Sequence, residues 1–207
     1  MAALEKKKIL ILFAHPAVRK SRVNRRLAEA VRGLDEVTFH DLYETYPDLD
    51  IDAAQEQELL LRHDVIVLQH PFYWYSTPAI FKEWQDVVLE HGWAYGHEGH
   101  ALEGKVLLNA VSAGGSEGSY RNEGLNRHTV RQLLAPIEQT ANLCGMDYLP
   151  PFVVHGTHAM SEDDINDAAA SYRRLIEALR DGALEIGSVR GLSQINSALG
   201  AVPGGGR

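Results

Sequence analysis

The sequence lacks a second cysteine, since Cys144 is the only one among its 207 residues. No disulfide can therefore form within the chain, and such cysteine usage is typical of a reducing compartment such as the cytoplasm. A long apolar run is also missing, because nothing approaches the roughly 20 residues that a membrane helix requires. The short run from Ile9 to Ala14 meets His15-Pro16, so we interpret it as a buried strand rather than a signal peptide.

An excess of positive charge is absent as well. The formal net charge is −8 at pH 7. Nucleic-acid binding needs a basic surface that neutralises phosphates, so we expect no nucleic-acid partner. The same balance of charge argues against direct docking on anionic lipid.

Short apolar runs alternate along the chain with stretches of helical periodicity, a pattern typical of parallel strands joined by helices. We predict an α/β fold with one doubly wound parallel sheet. Its five strands are expected near residues 8–14, 36–42, 64–70, 104–112 and 149–155. Ligands bind beyond the carboxyl ends of the strands in such sheets, so functional residues are expected there.

The second half of the chain carries three further signals. Pro136 would break a helix running from Leu125 to Cys144, so we place it in the first turn of a helix that ends before Gly145. Residues 113–128 then form a long loop, and loops of that length are usually functional or disordered. The sequence becomes weakly patterned from residue 183. We therefore predict one domain over residues 1–182 and a loosely ordered tail over residues 183–207.

The segment after the first strand has the residues of a phosphate site. Ser21 is a good N-cap, and the free N–H groups and positive dipole of a helix N-terminus bind phosphate. Ser21 and Asn24 add side-chain donors, while Arg19, Lys20 and Arg22 add positive charge. An ordinary capped helix with basic residues on its surface is the alternative. The segment has neither a G-x-G-x-x-G motif nor a Walker lysine motif, the usual fingerprints for dinucleotides and triphosphates.

The third and fourth strands end in segments that suit a planar ring. Four consecutive aromatic residues, Phe72 to Tyr75, follow the third strand and are costly to leave in water. Ser112-Ala113-Gly114-Gly115 ends the fourth strand, and paired glycines let backbone N–H groups approach a heterocycle. Taken singly, the two segments could be a hydrophobic cluster and a simple turn. Together with the phosphate segment they describe a site for flavin mononucleotide (FMN).

Four segments resemble those of one family. They are His15-Pro16 with Ser21-Arg22-Val23-Asn24; His70-Pro71-Phe72-Tyr73-Trp74-Tyr75-Ser76-Thr77-Pro78; Lys82-Glu83-Trp84-Gln85-Asp86; and His91-Gly92-Trp93-Ala94-Tyr95-Gly96. They resemble the NAD(P)H:quinone oxidoreductases, and within them the ancillary flavoproteins of the bacterial Kef potassium-efflux systems. The likeness runs from about Lys8 to Arg180. The aromatic segment and the His-Gly-Trp-Ala-Tyr-Gly segment together are highly specific.

The resemblance implies a flavodoxin-like three-layer sandwich with strand order 2-1-3-4-5, assembled as a homodimer with flavin sites near the subunit interface. It implies FMN as the cofactor, with FAD left open, and two-electron reduction of quinones by NAD(P)H in a ping-pong cycle. The flavin contacts carried over by position are His15, Ser21, Arg22, Val23, Asn24, Phe72, Tyr73, Trp74, Tyr75, Ser112, Ala113, Gly114 and Gly115.

Three residues are expected to act in catalysis. Backbone donors at Gly114 and Gly115 would stabilise negative charge on the reduced flavin ring. Tyr120 resembles a tyrosine that assists charge relay in the mammalian quinone reductases. The histidine that accompanies that tyrosine has no match here, because its position holds Asn126, and His128 lies two residues further.

Two other functions are compatible with a flavin site. The first is a regulatory flavoprotein that docks on and activates a potassium-efflux transporter, which would place the protein at the inner face of the membrane. The second is a single-electron carrier, which is disfavoured because the hydroxyl-rich phosphate loop of such carriers is missing between His15 and Ser21.

Two alternatives come from other classes of site. Residues 114–118 match G-x-S-x-G, the nucleophile elbow of hydrolases, with Ser116 as nucleophile and His155 or His158 as base, but no helix is predicted directly after the serine. The pairs His97/His100 and His155/His158 have a spacing found in metal sites. They lack an acidic or cysteine partner at a fixed distance, which favours exposed loop histidines.

Overall fold

A parallel six-stranded sheet is the framework of the protein, and the computed structural model describes residues 6–199 of the chain. The strands are β1 (Ile9–Phe13), β2 (Val37–Asp41), β3 (Val65–Pro71), β4 (Val106–Ser112), β5 (Asp147–Tyr148) and β6 (Phe152–Val154). Their order is β2-β1-β3-β4-β5, and β6 also pairs with β4. All of these pairings are parallel, which confirms the predicted fold class and strand order.

Helices cover both faces of the sheet, as expected for strands that are buried on both sides. They are α1 (Val23–Val31), α2 (Leu42–Thr45), α3 (Ala53–Leu61), α4 (Ala79–Val88), α5 (Val130–Leu133), α6 (Ala135–Leu143), α7 (Glu162–Arg180) and α8 (Ile186–Val189). Ile9 and Ile11 pack with α1 and α7, whereas Leu10 and Leu12 pack with α3, α4 and α6. None of the helices within residues 6–199 is both long and apolar enough to cross a membrane.

The fifth predicted strand differs from the structure. Instead of one strand over residues 149–155, two short strands, β5 and β6, lie on either side of Leu149-Pro150-Pro151 and pair with different parts of β4. Proline has no N–H to donate to a sheet, so two consecutive prolines interrupt the ladder.

The proline and glycine signals around α6 are confirmed. Pro136 lies in the first turn of α6, and Gly145, just past its end, has a φ of +71°. The prediction for α1 is one residue early, because Arg22 rather than Ser21 occupies the N-cap position. Ser21 Oγ nevertheless accepts a hydrogen bond from the Asn24 N–H at 3.1 Å.

The segment from residue 183 to residue 199, called the C-terminal segment below, packs on the domain. This differs from the predicted loose tail, whose residues 200–207 lie outside the described part. Val189 and Ile195 are buried with the core residues between α1 and α7. Asn196 binds the edge of the sheet through both of its amide atoms, accepting from the Val153 N–H (2.9 Å) and donating to the Val153 carbonyl (3.0 Å). Arg131 donates to the carbonyl groups of two further residues of the segment, Arg190 and Leu192, at 2.6 Å each.

A fully buried carboxylate lies between α3, α4 and β2. Glu56 is 0% exposed. Its Oε1 binds Tyr46 Oη (2.8 Å) and His40 Nε2 (2.7 Å), and its Oε2 accepts from Trp84 Nε1 (2.9 Å). A buried polar group is costly unless its hydrogen-bonding capacity is met, and these three partners meet that of the Glu56 carboxyl group.

Candidate functional site

The carboxyl ends of β1, β3 and β4 border a cavity of about 530 Å³, as expected for a sheet of this class. The loop after β6 completes its wall. The lining residues are His15, Ala17, Lys20, Ser21, Arg22, Val23, Pro71, Phe72, Tyr73, Trp74, Ser112, Gly114, Thr157 and His158. Sites for small ligands occupy about 300–1,000 Å³, so the cavity has the size of a cofactor site.

The N-terminus of α1 forms one end of the cavity. Within residues 6–199 the backbone N–H groups of Arg22 and Val23 donate no hydrogen bond. Both are therefore free for an anion, which the helix dipole also favours. The Arg22 guanidinium donates to the Met160 carbonyl (3.1 Å) and pairs with Glu162 (2.6 Å), so part of its charge is directed to the start of α7. Lys20 lines the same cavity and adds a second positive charge.

His15 lies at the end of β1 as a neutral ring with a defined tautomer. Its Nδ1 accepts a hydrogen bond from the Ala17 N–H at 3.0 Å. Burial lowers the pKa of His15, so the ring is uncharged at neutral pH. The single proton is then on Nε2. The imidazole also meets the Tyr73 ring edge to face at 6.0 Å between centroids.

The aromatic residues after β3 form a strained turn. The Ser76 N–H donates to the Tyr73 carbonyl at 3.0 Å, and Trp74 and Tyr75 have φ values of +48° and +64°. Two central residues with positive φ define a type I′ turn, which favours glycine and asparagine. Larger residues pay about 1–3 kcal/mol each there, and such strain concentrates at functional sites. The turn leaves the Trp74 side chain 94% exposed at the cavity rim.

The segment after β4 is held in place by hydrogen bonds to its carbonyl groups, whereas the N–H groups of its two glycines remain free within residues 6–199. Ala113 and Gly115 accept hydrogen bonds from Thr157 (3.2 Å) and Gly156 (2.9 Å). The N–H groups of Gly114 and Gly115 donate none within the described residues. Because Gly114 lines the cavity, its N–H is available to a ligand.

A chain of buried side chains supports the cavity floor. Tyr172 donates to Gln69 Oε1 (3.1 Å), Gln69 Nε2 donates to the Asn24 carbonyl (3.1 Å), and Asn24 Nδ2 donates to Ser112 Oγ (2.6 Å). These bonds join α7, β3, α1 and β4. Asn24 Oδ1 is buried and has no hydrogen-bond partner among residues 6–199, so this run of hydrogen-bonded side chains keeps one free acceptor near the cavity.

Tyr120 lies beside the main cavity, in a smaller one of about 90 Å³ whose wall it shares with His155. Its ring contacts those of Phe72 and His155, at 5.9 and 5.6 Å between centroids. Burial, with a smaller effect of Tyr75, raises the pKa of Tyr120, so the phenol keeps its proton at neutral pH. A Cβ on Gly115 would lie 3.1 Å from the Tyr120 ring, so a larger residue there would have to displace the ring by a few tenths of an ångström.

A histidine does lie next to Tyr120, but it does not come from position 126, where the related mammalian enzymes have theirs. Asn126 accepts from Tyr75 Oη at 3.2 Å, and His128 lies with it in a hollow that Tyr75 and Leu125 also line. The histidine next to Tyr120 is His155, on the loop after β6.

Most of the predicted flavin contacts line the main cavity. Asn24 and Ala113 are buried behind it, and Tyr75 and Gly115 lie beside it. Thr157 and His158 also line the cavity but are not among the predicted flavin contacts, since His158 is predicted only as a candidate hydrolase base or metal ligand. They follow the last strand, so the rule that ligands bind beyond strand ends would have indicated them had it been applied to that strand.

The alternative sites gain no support from the geometry. Ser116 lies beyond the end of β4 and its Oγ contacts Ser119 Oγ at 3.0 Å. Within residues 6–199 neither His155 nor His158 makes a hydrogen bond to Ser116, and the segment after it is a short 3₁₀ turn. No group of three or more His, Cys, Asp or Glu side chains in this part of the chain is arranged to hold a metal ion.

Comparison with known proteins gives consistent matches over most of the chain. A family model described as flavodoxin-like fold matches residues 7–176. The glutathione-regulated potassium-efflux system ancillary protein KefF of an Enterobacter species is 47% identical over 167 residues, which cover 80% of this chain and 93% of KefF. YrkL of Bacillus subtilis, described as an uncharacterized NAD(P)H oxidoreductase, is 43% identical over 173 residues, which cover 84% of this chain and 98% of YrkL.

Solved structures also match over most of the chain. General stress protein 14 of Treponema denticola, crystallised in complex with FMN, superposes with a TM-score of 0.79 and is 41% identical; the match covers 83% of this chain and 99% of that protein. An NADPH-quinone reductase of P. pentosaceus superposes with a TM-score of 0.74 and is 34% identical; the match covers 82% of this chain and 97% of that one.

Proposed function

The chain belongs to the flavodoxin-like family of NAD(P)H:quinone oxidoreductases, and from this premise we propose that it is an FMN-dependent enzyme that reduces quinones with NAD(P)H. The cavity carries the proposal, because it combines an anion site, an aromatic wall and free backbone donors at neighbouring strand ends. The FMN complex of the Treponema denticola relative and the quinone reductase of P. pentosaceus support the choice of cofactor and acceptor.

The residues of the cavity fit FMN at both ends. Ser21, the free N–H groups at the start of α1 and the charge of Lys20 would hold the phosphate. Phe72 and the strained turn of Trp74 would lie along the ring system, and the Gly114 N–H would donate to its polar edge. When bound, the flavin supplies the capacity to accept a hydride from NAD(P)H and to pass two electrons to a quinone.

The protein's own task is to hold partners in place and stabilise negative charge. The neutral His15 can donate through Nε2, and Gly114 through its backbone N–H; neither donor needs to be rearranged during the reaction. Tyr120 keeps its proton at neutral pH and touches Phe72, which lines the cavity. Donor and acceptor would enter the same open cavity in turn, which is the arrangement a ping-pong cycle requires.

A homodimer is part of the proposal. Trp74, Tyr75 and Leu125 are 94%, 49% and 87% exposed, and exposed apolar residues next to a cavity are typical of an interaction surface. The second copy would cover this rim and restrict access of water to the site. With its single cysteine free and buried, the protein is expected to work in the cytoplasm.

A regulatory role is the second candidate, favoured by the 47% identity to the potassium-efflux ancillary protein KefF. In that case the protein would dock on a transporter at the inner face of the membrane and activate it. Stable co-purification with such a transporter, together with a raised efflux rate, would support this role; both functions can reside in one flavoprotein.

The enzyme proposal is tested by an absorbance spectrum of the purified protein after FMN is added and the excess removed. We expect retained yellow colour that bleaches under anaerobic NADPH or NADH and returns when a benzoquinone is added. Retained flavin that neither cofactor bleaches would favour the regulatory role. Failure to retain FMN, with FAD tried as well, would contradict the flavin site itself.

A further inference from the structure

The C-terminal segment contacts the loops after β4 and β6 through the side chain of Gln194. Gln194 Nε2 donates to Glu117 Oε1 at 3.2 Å, on the loop that follows β4. Gln194 Oε1 lies 3.2 Å from His155 Nε2, on the loop that follows β6. Gln194 thus joins the two loops that hold Gly114, Tyr120 and His155.

This bridge is rigidly anchored on either side of Gln194 in the sequence. Ile195, the next residue, is fully buried, and its N–H donates to the Pro151 carbonyl at 3.0 Å. Asn196 holds both backbone groups of Val153, and Arg131 holds the carbonyl groups of Arg190 and Leu192. The position of the Gln194 backbone is therefore fixed independently of the two loops that its side chain contacts.

The bridge also sets the state of the imidazole that touches Tyr120. Because the Gln194 amide nitrogen donates to Glu117, its oxygen faces His155, so His155 Nε2 is the donor of that pair. In the neutral ring Nδ1 is then an unprotonated nitrogen, and it has no hydrogen-bond partner among residues 6–199. The ring is therefore held in one tautomer and one orientation against Tyr120, at 5.6 Å between centroids.

We propose that Gln194 is a positioning residue of the reaction site, holding His155 against Tyr120 and fixing the loop of residues 113–120 through Glu117. The match to the family model ends at residue 176. Gln194 therefore belongs to a part of the chain outside the region that this family model matches. The catalytic half of the proposal rests on the proposed reductase function; the structural half does not.

Substituting Gln194 in two ways separates positioning from simple packing. Burial lowers the pKa of His155, whereas the bond to Gln194, the charge of Glu117 and the carbonyl of Gly115 raise it. The other titratable groups that line the smaller cavity with His155 are Tyr120 and Arg121. Gln194→Ala removes the acceptor and should lower the pKa of His155 further. Gln194→Glu keeps the shape, adds a negative charge and should raise it. The added charge raises the pKa in Gln194→Glu in any case, so Gln194→Ala is the deciding variant: a loss of packing alone would admit water and raise the pKa of His155, whereas the loss of the acceptor lowers it.

Both substitutions remove the bond to Glu117, so both should loosen the loop. A hydrogen bond to a charged group is worth roughly tenfold in an equilibrium, so we expect the Ser119 and Tyr120 amides, which donate the hydrogen bonds inside this loop, to exchange about tenfold faster with solvent. The catalytic efficiency with a quinone should fall by a similar factor, while FMN retention is kept. Gln139→Ala is the control, because Gln139 is exposed on α6 and its side chain makes no hydrogen bond in the described part of the chain.

The measurements are the pH titration of the His155 ring by NMR and the hydrogen exchange of the loop, both on protein without FMN. Opposite pKa shifts with faster exchange in both Gln194 variants would support the proposal. Shifts of equal sign, or loop exchange like that of Gln139→Ala, would overturn it. If the unmodified protein fails to reduce quinones, the proposed function falls, and these two measurements still decide the positioning role.

Discussion

Ser21→Asp is expected to abolish the retention of FMN while leaving the fold intact. Aspartate, like serine, has a side-chain oxygen that can accept from the Asn24 N–H as Ser21 Oγ does. Its carboxylate, however, would stand where the flavin phosphate binds. Two unit charges about 4 Å apart near a protein surface repel by about 4 kcal/mol, which corresponds to roughly a thousandfold loss of affinity. Equilibrium dialysis or fluorescence titration with FMN measures this loss.

Two matched variants make the result specific. Ser21→Ala removes the hydroxyl without adding charge and should weaken FMN binding by about tenfold, as expected for the loss of one hydrogen bond to a charged group. Ser188→Asp adds the same charge on the exposed α8 and should bind FMN like the unmodified protein. If Ser21→Asp retained FMN as tightly as Ser188→Asp, the phosphate would have to bind elsewhere.

Glu56→Leu is expected to have the largest effect on stability. The substitution leaves the Tyr46 hydroxyl and the Trp84 indole N–H, both buried, without their acceptor, and it removes the hydrogen-bond partner of the His40 ring. Each buried donor left without an acceptor costs about 1–3 kcal/mol, and the sum is a large fraction of the 5–15 kcal/mol that stabilises a typical domain. Urea unfolding followed by circular dichroism should show a midpoint shift that corresponds to this loss of free energy.

The same helix offers a control for Glu56. Glu58 is exposed on α3, so Glu58→Leu should change the free energy of unfolding by less than about 0.5 kcal/mol. Glu56→Gln keeps an acceptor oxygen and should fall between the two. Equal unfolding midpoints for Glu56→Leu and Glu58→Leu would show that the buried cluster contributes no net stability.

The sheet was predictable because its signals are local. A strand buried on both faces must be apolar throughout, which β1 and β3 are over most of their length, and Pro136 and Gly145 mark the ends of α6 by their backbone preferences alone. The division of the last strand was equally local, since Pro150 and Pro151 cannot donate to a ladder. It was missed because the apolar run continues through them.

The site was only partly predictable, because some of its contacts join residues far apart in sequence. Residue type alone indicates three parts of the site, which are the loop after β1, the aromatic turn and the two glycines after β4. His155 lies far from Tyr120 in the chain, and Gln194 lies in a weakly patterned segment, so no spacing indicates that the three meet. The same holds outside the site for Glu56, which looks in the sequence like any helical glutamate, because its burial follows from the positions of Trp84 and Tyr46 in space.

The pairing of Asn196 with Val153 has a consequence for the order in which the protein is made. The free edge of β6 is closed by a side chain that leaves the ribosome after the whole sheet has been synthesised. At about 5–20 residues per second, nascent chains expose that edge for a few seconds. An unpaired edge is a template for the strand of another chain. The yield of correctly folded protein should therefore depend on translation speed and on the local density of nascent chains.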